Sequence, residues 1–283
     1  MILLDGQRVS QQILESIKTK IDSQNPPILD IILVGNDPSS LKYTTLKSKV
    51  AKSIGIITNF HHLAHDTSQD KIVKLIDSLN QGPSTGIMIQ LPIPANLDKF
   101  FILNSINPQK DVDGLTSTNL GLLFHNDPKC LVSATAMAIY EILKFYKIDL
   151  SGKNAVIVNN TPLIGLPLTA LFNNNHATVT LCHKYTLNLK NITNTADILI
   201  SAVGIPKFIK ANMVKNGAIV IGAGFGKNSD TGLIEGDLDF DNVKKITSAI
   251  TPNTHGVGPV TVACLLKNVV KVYTNGLSKN PTI

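Results

Sequence analysis

The chain has 283 residues, of which 43% are hydrophobic and 5% aromatic, with a mean hydropathy of +0.15. It is long enough for two domains with their own cores and too apolar for a disordered polypeptide, and it lacks any apolar run of the roughly 18 residues a membrane span requires. The formal net charge is +6, but the lysines are scattered and form no arginine-rich stripe with interleaved aromatics, which favours anionic metabolites over nucleic acid as partners.

The opening stretch, MILLDGQRVSQQ, has none of the basic region, long apolar core and cleavage site of a secretory signal. Residues 7–24 read as an amphipathic helix, with Val9, Ile13, Leu14, Ile17 and Ile21 at helical spacing and Pro26-Pro27 ending it. ILDIILV at 28–34 reads as a strand closed by Gly35. In DPSSLKYTTLKSKVAKSIG at 37–55, Asp37 suits an N-cap, Pro38 a first helical turn and Gly55 a helix end. A step of about 100° per residue puts Tyr43, Leu46, Lys47, Val50 and Ile54 on one face and Lys42, Lys49 and Lys52 on the other. One lysine is thus turned toward the apolar side. On these residues alone it is either an amine snorkelling at the edge of a core or a dried amine whose lowered pKa makes it a usable base.

Ile56 to Leu63 reads as a second strand, and Thr67 with Asp70 resembles a capping box opening a helix through Ile72, Leu75, Ile76 and Leu79. GIMIQL at 86–91 is a third strand, broken by Pro92 and Pro94. This alternation implies a parallel sheet with helices on its faces. Ligands in such sheets sit beyond the carboxyl ends of strands, so Gln90 either meets the Lys47 helix there or faces solvent from an edge. In PQKDVDG at 108–114, Asp111 and Asp113 before a glycine read as a turn, and a metal site would lack its third and fourth ligands. The His61-His62 pair has no HExxH-like partner, and no metal is expected.

Ser133 suits the cap of a helix running to Tyr146, which carries the chain into a second domain. SGKN at 151–154 is a turn, AVIV at 155–158 a buried strand, and NNTPLIGLP leads into a helix through Leu168, Leu171 and Phe172. Strands at 177–182, 197–203 and 217–221 complete a second parallel set, which reads as a dinucleotide-binding domain on strand order, the GxGxxG fingerprint being absent. GVGP at 256–259 precedes an apolar helix from Val260 to about Tyr273, expected to pack back on the first domain. Cys130, Cys182 and Cys264 have neither metal nor disulfide spacing, and a reducing, cytoplasmic location is expected.

YTTLK at 43–47, IQLPIP at 89–94, KDVDG at 110–114, GLP at 165–167 and ITPNTHGVGPVT at 250–261 occur in one order along nearly the whole chain. In that combination the sequence resembles the bifunctional methylenetetrahydrofolate dehydrogenase/methenyltetrahydrofolate cyclohydrolase family. The resemblance implies an α/β fold of two parallel-sheet domains in a homodimer. Residues 1–117 plus 256–283 would form the folate-binding catalytic domain, with the C-terminal helix packed back on it, and residues 118–255 a Rossmann-type NAD(P)-binding domain. The implied activity is oxidation of 5,10-methylenetetrahydrofolate with NADP, or NAD, followed by hydrolysis to 10-formyltetrahydrofolate. The implied catalytic group is Tyr43, Lys47, Gln90 and Asp113. Lys47 would move the protons of hydration and ring opening, Gln90 would hold it, Tyr43 would stack on the pterin-side rings and Asp113 would accept from the amino-pyrimidine edge. Leu91, Gly258 and Pro259 complete the implied substrate contacts, and Asn159, Asn160, Thr161, Gly165, Lys184 and Phe225 the implied dinucleotide contacts.

The dinucleotide side departs from the family pattern. Asn159, Asn160 and Thr161 stand where Gly-x-Ser is usual, so Asn159 replaces a glycine that permits close approach of backbone to phosphate. Leu166 replaces an arginine, and Lys184 supplies a cation only as a point charge. IGAGF at 221–225 has Gly222 for Asp and Phe225 for Ile; SATA at 133–136 and Thr254-His255-Gly256 replace Pro-Cys-Thr-Pro and Pro-Gly-Gly. Three readings follow: a bifunctional enzyme with an altered cofactor grip, a cyclohydrolase alone, or a non-catalytic folate-binding partner subunit.

Overall fold

The computed structural model describes residues 1–229 and 231–279. The first half forms β1 (Ile2–Leu3), α1 (Gly6–Lys18), β2 (Ile28–Val34), α2 (Pro38–Ser53), β3 (Ile57–Leu63), α3 (Gln69–Gln81), β4 (Gly86–Ile89), α4 (Lys99–Asn104) and α5 (Ser117–Phe124). Then come α6 (Ala134–Phe145), β5 (Asn154–Val158), α7 (Gly165–Asn174), β6 (Thr178–Cys182), α8 (Leu189–Thr193) and β7 (Ile198–Ser201). The remainder is β8 (Ile219–Gly222), β9 (Phe225–Lys227), β10 (Ile234–Gly236), α9 (Phe240–Val243), β11 (Ala249–Ile250) and α10 (Val257–Lys279). Among the described residues no helix is long and apolar enough to cross a membrane.

The chain divides into two compact units. One contains residues 12–122, 127–134 and the chain from Val262 onward. Its sheet is parallel in the order β3-β2-β4, with Ile32 opposite both His61 and Ile89. Ile32 and Val34 of the central strand pack with Ile87 and Ile89 against Ile72 and Ile76 of α3 and Ile102 of α4. Each such side chain, fully buried, contributes about 1.5–3 kcal/mol. Asp30 lies inside that strand, 2% exposed, and is tolerated because His61 Nε2 lies 2.7 Å and the Asn59 amide 3.2 Å from its carboxylate.

The other unit contains residues 1–11, 123–126 and 135–261. Its six-stranded sheet runs β1-β11-β8-β7-β5-β6, parallel throughout. Val156, Leu199 and Val220 line a core closed by Ile209, Leu238 and Val243. Strand β5 has β6 on one side and β7 on the other, so the strand order reverses there. In a parallel sheet that reversal opens a crevice at the carboxyl ends. Residues 1–11, which the sequence boundaries assign to the folate half, belong here because Ile2 and Leu3 pair with Ala249 and Ile250 of β11.

Three local expectations shift, and one pairing is new. Helix α1 stops at Lys18 and not near 24: the Lys20 and Ile21 N–H groups bond three residues back, to the Ile17 and Lys18 carbonyls, and Asp22 then turns the chain by accepting the Gln24 N–H at 2.9 Å. Ser68, not Thr67, is the N-cap of α3, and neither side chain makes a capping-box bond there. The last helix begins at Val257, three residues early, with Pro259 in its first turn, where a proline costs no hydrogen bond. Strands β9 and β10 pair as an antiparallel hairpin that sequence reading passes over, because arms of three residues carry no periodic signal.

Candidate active site

Helix α2 starts as its sequence dictates: Asp37 accepts the Ser40 N–H at 2.7 Å, Pro38 fills the first turn, and Gly55 follows the end at φ +94. Its buried stripe, however, is Ser40, Thr44, Lys47 and Ala51, while Tyr43 and Leu46 are 38% and 45% exposed. The expected apolar face is therefore rotated by about one residue. The cause is that small side chains let the helix close onto β2 and β3, and the Thr44 hydroxyl is satisfied within the helix by the Ser40 carbonyl at 2.7 Å. Lys47 falls in the middle of this stripe and is 6% exposed. Its Nζ donates to Gln90 Oε1 at 2.9 Å, lies 3.9 Å from Met88 Sδ, and stands 5.5 Å from the centroid of the Tyr43 ring.

Gln90 leaves β4 at its carboxyl end, its backbone N–H held by the Ile32 carbonyl at 2.8 Å. Its Nε2 donates to the Leu91 carbonyl at 2.7 Å, which turns Oε1 toward Lys47. Burial holds the Lys47 amine below the ordinary lysine range, and the nearby Asp113 carboxylate pulls it part of the way back. Burial raises the Asp113 carboxyl, Lys47 opposes that shift and Asp111 adds to it. Partial burial of Tyr43 pushes its phenol up. An amine and an acid drawn toward their neutral forms can exchange protons with a bound molecule at small cost.

The two aspartates of KDVDG have separate tasks. Asp111 is 1% exposed and accepts from the Leu115 and Thr116 N–H groups at 3.2 and 2.8 Å and from the Asn119 amide at 3.0 Å. It is committed to the turn. Gly114 sits at φ +67, and a Cβ there would stand 2.5 Å from the Leu131 carbonyl, so only glycine passes. Asn268 of α10 donates to the Val112 and Val132 carbonyls, both at 2.9 Å, and clamps this turn. Sequence reading passes over Asn268, whose one signal is an amide amid the apolar residues of α10. It also passes over Met88.

The other implied residues lie in the six-stranded unit. Asn159 follows β5, and its Oδ1 accepts from the Thr161 N–H at 2.9 Å, the Thr161 hydroxyl at 2.8 Å and the Gly165 N–H at 3.0 Å. A Cβ on Gly165 would fall 1.8 Å from the Asn159 carbonyl, so α7 can approach β5 only through a glycine. Asn160 is exposed beside this cluster. Lys184 follows β6, its Nζ 4.8 Å from the centroid of the Tyr185 ring, and Phe225 opens β9, 48% exposed. Neither shares the hydrogen bonds of the Asn159 cluster. Gly258 and Pro259 lie in the first turn of α10. Asp237, also passed over, is fully buried and accepts from the Ser201 hydroxyl at 2.9 Å and from the N–H groups of Val203, Gly204 and Ile205 at 2.6–3.1 Å. It shapes the loop after β7. Residues 159–166 and 183–187 contain amide, hydroxyl and ammonium donors and no carboxylate, and the Asp237 carboxylate that meets residues 203–205 is occupied by their N–H groups, which fits an anionic dinucleotide at the strand reversal.

Comparison with known proteins places this geometry. The tetrahydrofolate dehydrogenase/cyclohydrolase catalytic domain matches residues 4–113, and the NAD(P)-binding domain of the same family matches residues 133–276. A bifunctional FolD protein of Aquifex aeolicus is 42% identical over 278 residues, covering 96% of this chain and 95% of the relative. The crystal structure of the FolD methylenetetrahydrofolate dehydrogenase/cyclohydrolase of Campylobacter jejuni superposes with a TM-score of 0.93 at 38% identity, covering 98% of this chain and 100% of its own. The Trypanosoma brucei enzyme, solved with NADP and an inhibitor, also gives 0.93 at 30% identity, with 98% of each chain covered. The chain belongs to the tetrahydrofolate dehydrogenase/cyclohydrolase family.

Proposed function

We propose that the protein oxidises 5,10-methylenetetrahydrofolate to the 5,10-methenyl form and hydrolyses that product to 10-formyltetrahydrofolate, serving one-carbon metabolism. The observation that carries this reading is the buried Lys47 amine held at 2.9 Å by Gln90 beside Tyr43. The methenyl carbon is already electrophilic, so hydration needs a base for the attacking water and an acid for the departing ring nitrogen. Neutral Lys47 takes one proton of the water as its oxygen bonds to carbon; the resulting ammonium returns a proton to the nitrogen as the carbon–nitrogen bond breaks, and the remaining hydroxyl proton leaves to solvent as the formyl C=O forms. Gln90 fixes the amine and offers it no negative charge, which keeps the neutral form accessible. Tyr43 presents an open ring face to the pterin-side rings, and Asp113 accepts from its amino-pyrimidine edge. Leu91, Gly258 and Pro259 are read as further substrate contacts.

When bound, a nicotinamide supplies the acceptor for the hydride of the methylene group, a step in which positioning does most of the work. Asn160, Thr161, Gly165, Lys184 and Phe225 are the residues that would hold the dinucleotide, at the turn that the Asn159 side chain closes. NADP is favoured because Lys184 lies two residues beyond β6 with no acidic residue in 183–187, although a lysine meets a phosphate only as a point charge. The chain's single arginine, Arg8, lies instead 5.9 Å from the centroid of the Phe145 ring. A homodimer is supported by the apolar pair Leu233 and Ile234 on and beside the hairpin, 63% and 67% exposed. A cytoplasmic location is supported by three buried free thiols.

Assays of purified protein test the reading. The methenyl chromophore is expected to appear with NADP and more slowly with NAD, and added methenyl substrate is expected to disappear without nucleotide. Hydrolysis without nucleotide-dependent oxidation would leave a cyclohydrolase alone, and folate binding without either turnover a non-catalytic subunit.

A further inference from the structure

The segment from Asn159 to Ile164 joins β5 to α7 where the strand order reverses. In parallel sheets of this kind phosphate groups meet N–H donors in the first turn of that helix. Here those donors already have partners. Asn159 Oδ1 accepts from the Gly165 N–H, the Thr161 N–H and the Thr161 hydroxyl at 2.8–3.0 Å. The Leu166 N–H is bonded to the Thr161 carbonyl at 3.1 Å, and Pro167 has no N–H. On its other side the Asn159 amide donates to the carbonyl of Ala202, just beyond β7, at 2.7 Å. One neutral side chain therefore spans the crevice between the ends of β5 and β7, and its oxygen sits among three donors as a phosphate oxygen would.

We infer that Asn159 is a latch on the phosphate-binding turn: a dinucleotide pyrophosphate reaches the Gly165 and Thr161 donors only by displacing the Asn159 side-chain oxygen. The inference rests on the dinucleotide reading given above and assigns Asn159 a positioning role that sets affinity. The exchange trades neutral hydrogen bonds for charge-assisted ones, so it proceeds, but part of the binding free energy is spent opening the latch. A glycine at this position would leave the donors uncommitted and let the backbone approach the phosphate.

The test is titration of NADPH into the full chain, followed by nucleotide fluorescence and by calorimetry, with thermal unfolding of each free protein as a second readout. Asn159→Gly is expected to bind NADPH about tenfold tighter than the parent, while its free form melts lower for want of the latch bonds. Asn159→Asp keeps an acceptor among the three donors but loses the amide donor to the Ala202 carbonyl and sets a negative charge against the phosphate, so it is expected to bind at least about tenfold more weakly, and its free form also melts lower. Should the glycine variant not fold, Asn159→Ser, too short to reach Gly165, is expected to move affinity in the same direction. Parent binding with no tightening in the glycine or serine variant overturns the latch alone. Absence of NADPH binding in every protein, the parent included, overturns the dinucleotide reading and the latch together.

Discussion

The Lys47 site and the Asn159 turn treat polar groups in opposite ways. Lys47 has up to three N–H donors and one good acceptor, Gln90 Oε1 at 2.9 Å, with a sulfur at 3.9 Å as a poor second. Its charged form is under-solvated, and its pKa is lowered by burial. Asn159 makes four hydrogen bonds, through both ends of its amide. A group meant to react is kept short of partners, whereas a turn that waits for a ligand closes on itself. Reactivity and readiness to bind thus carry different hydrogen-bond signatures in one chain.

Removing the under-solvated amine should have the largest effect. Lys47→Met is expected to lower methenyl hydrolysis by about 10²–10⁴-fold with NADPH binding unchanged; hydrolysis at the parental rate would refute the proposed role. Next comes a carboxylate that is fully satisfied, the counter-example to Lys47. Asp237→Asn places an NH₂ group among backbone donors and should cost about 2–3 kcal/mol of stability, read as a lower urea midpoint. An unchanged midpoint would mean that the loop after β7 does not depend on it.

Gln90→Glu sharpens the comparison by giving Lys47 the charged partner it lacks. The ammonium is then stabilised, the amine pKa rises, and the pH at which hydrolysis reaches its plateau moves upward, with a loss of about tenfold at neutral pH. A superimposable pH profile would show that Gln90 does not tune the amine. The smallest effect concerns stability. Lys47 has a lower pKa folded than unfolded, so below the folded value its burial cost is fully present. As pH climbs from that value toward 10.5 the unfolded chain holds a proton that the folded chain has lost, and stability rises. Lys47→Met should remove that rise in denaturation midpoints measured across the window.

How much of this was legible depended on the distance between partners. The cap of α2 lies within a few residues of its targets, and the Lys47–Gln90 meeting follows from a strand end beside a helix start, so both could be read. Sequence periodicity misphases the face of α2 because Ser40 and Thr44 look solvent-seeking, although the Thr44 hydroxyl is consumed inside the helix. Asp237 finds its donors 32–36 residues away and Asn268 its acceptors 136 and 156 away, separations that no local pattern encodes. The departure at Asn159 was visible as a missing glycine. Its consequence, an amide joined to both strand ends, needed the parallel pairing of β5 with β7.

Titration of the Lys47 amine itself is the most direct measurement, using protein carrying ¹³C at the lysine ε positions, with Lys47→Met identifying the signal. The expected midpoint lies below the ordinary lysine value of 10.5, with a further downward shift in Asp113→Asn, where the opposing carboxylate is gone. A midpoint at or above 10.5, unmoved by loss of Asp113, would contradict it.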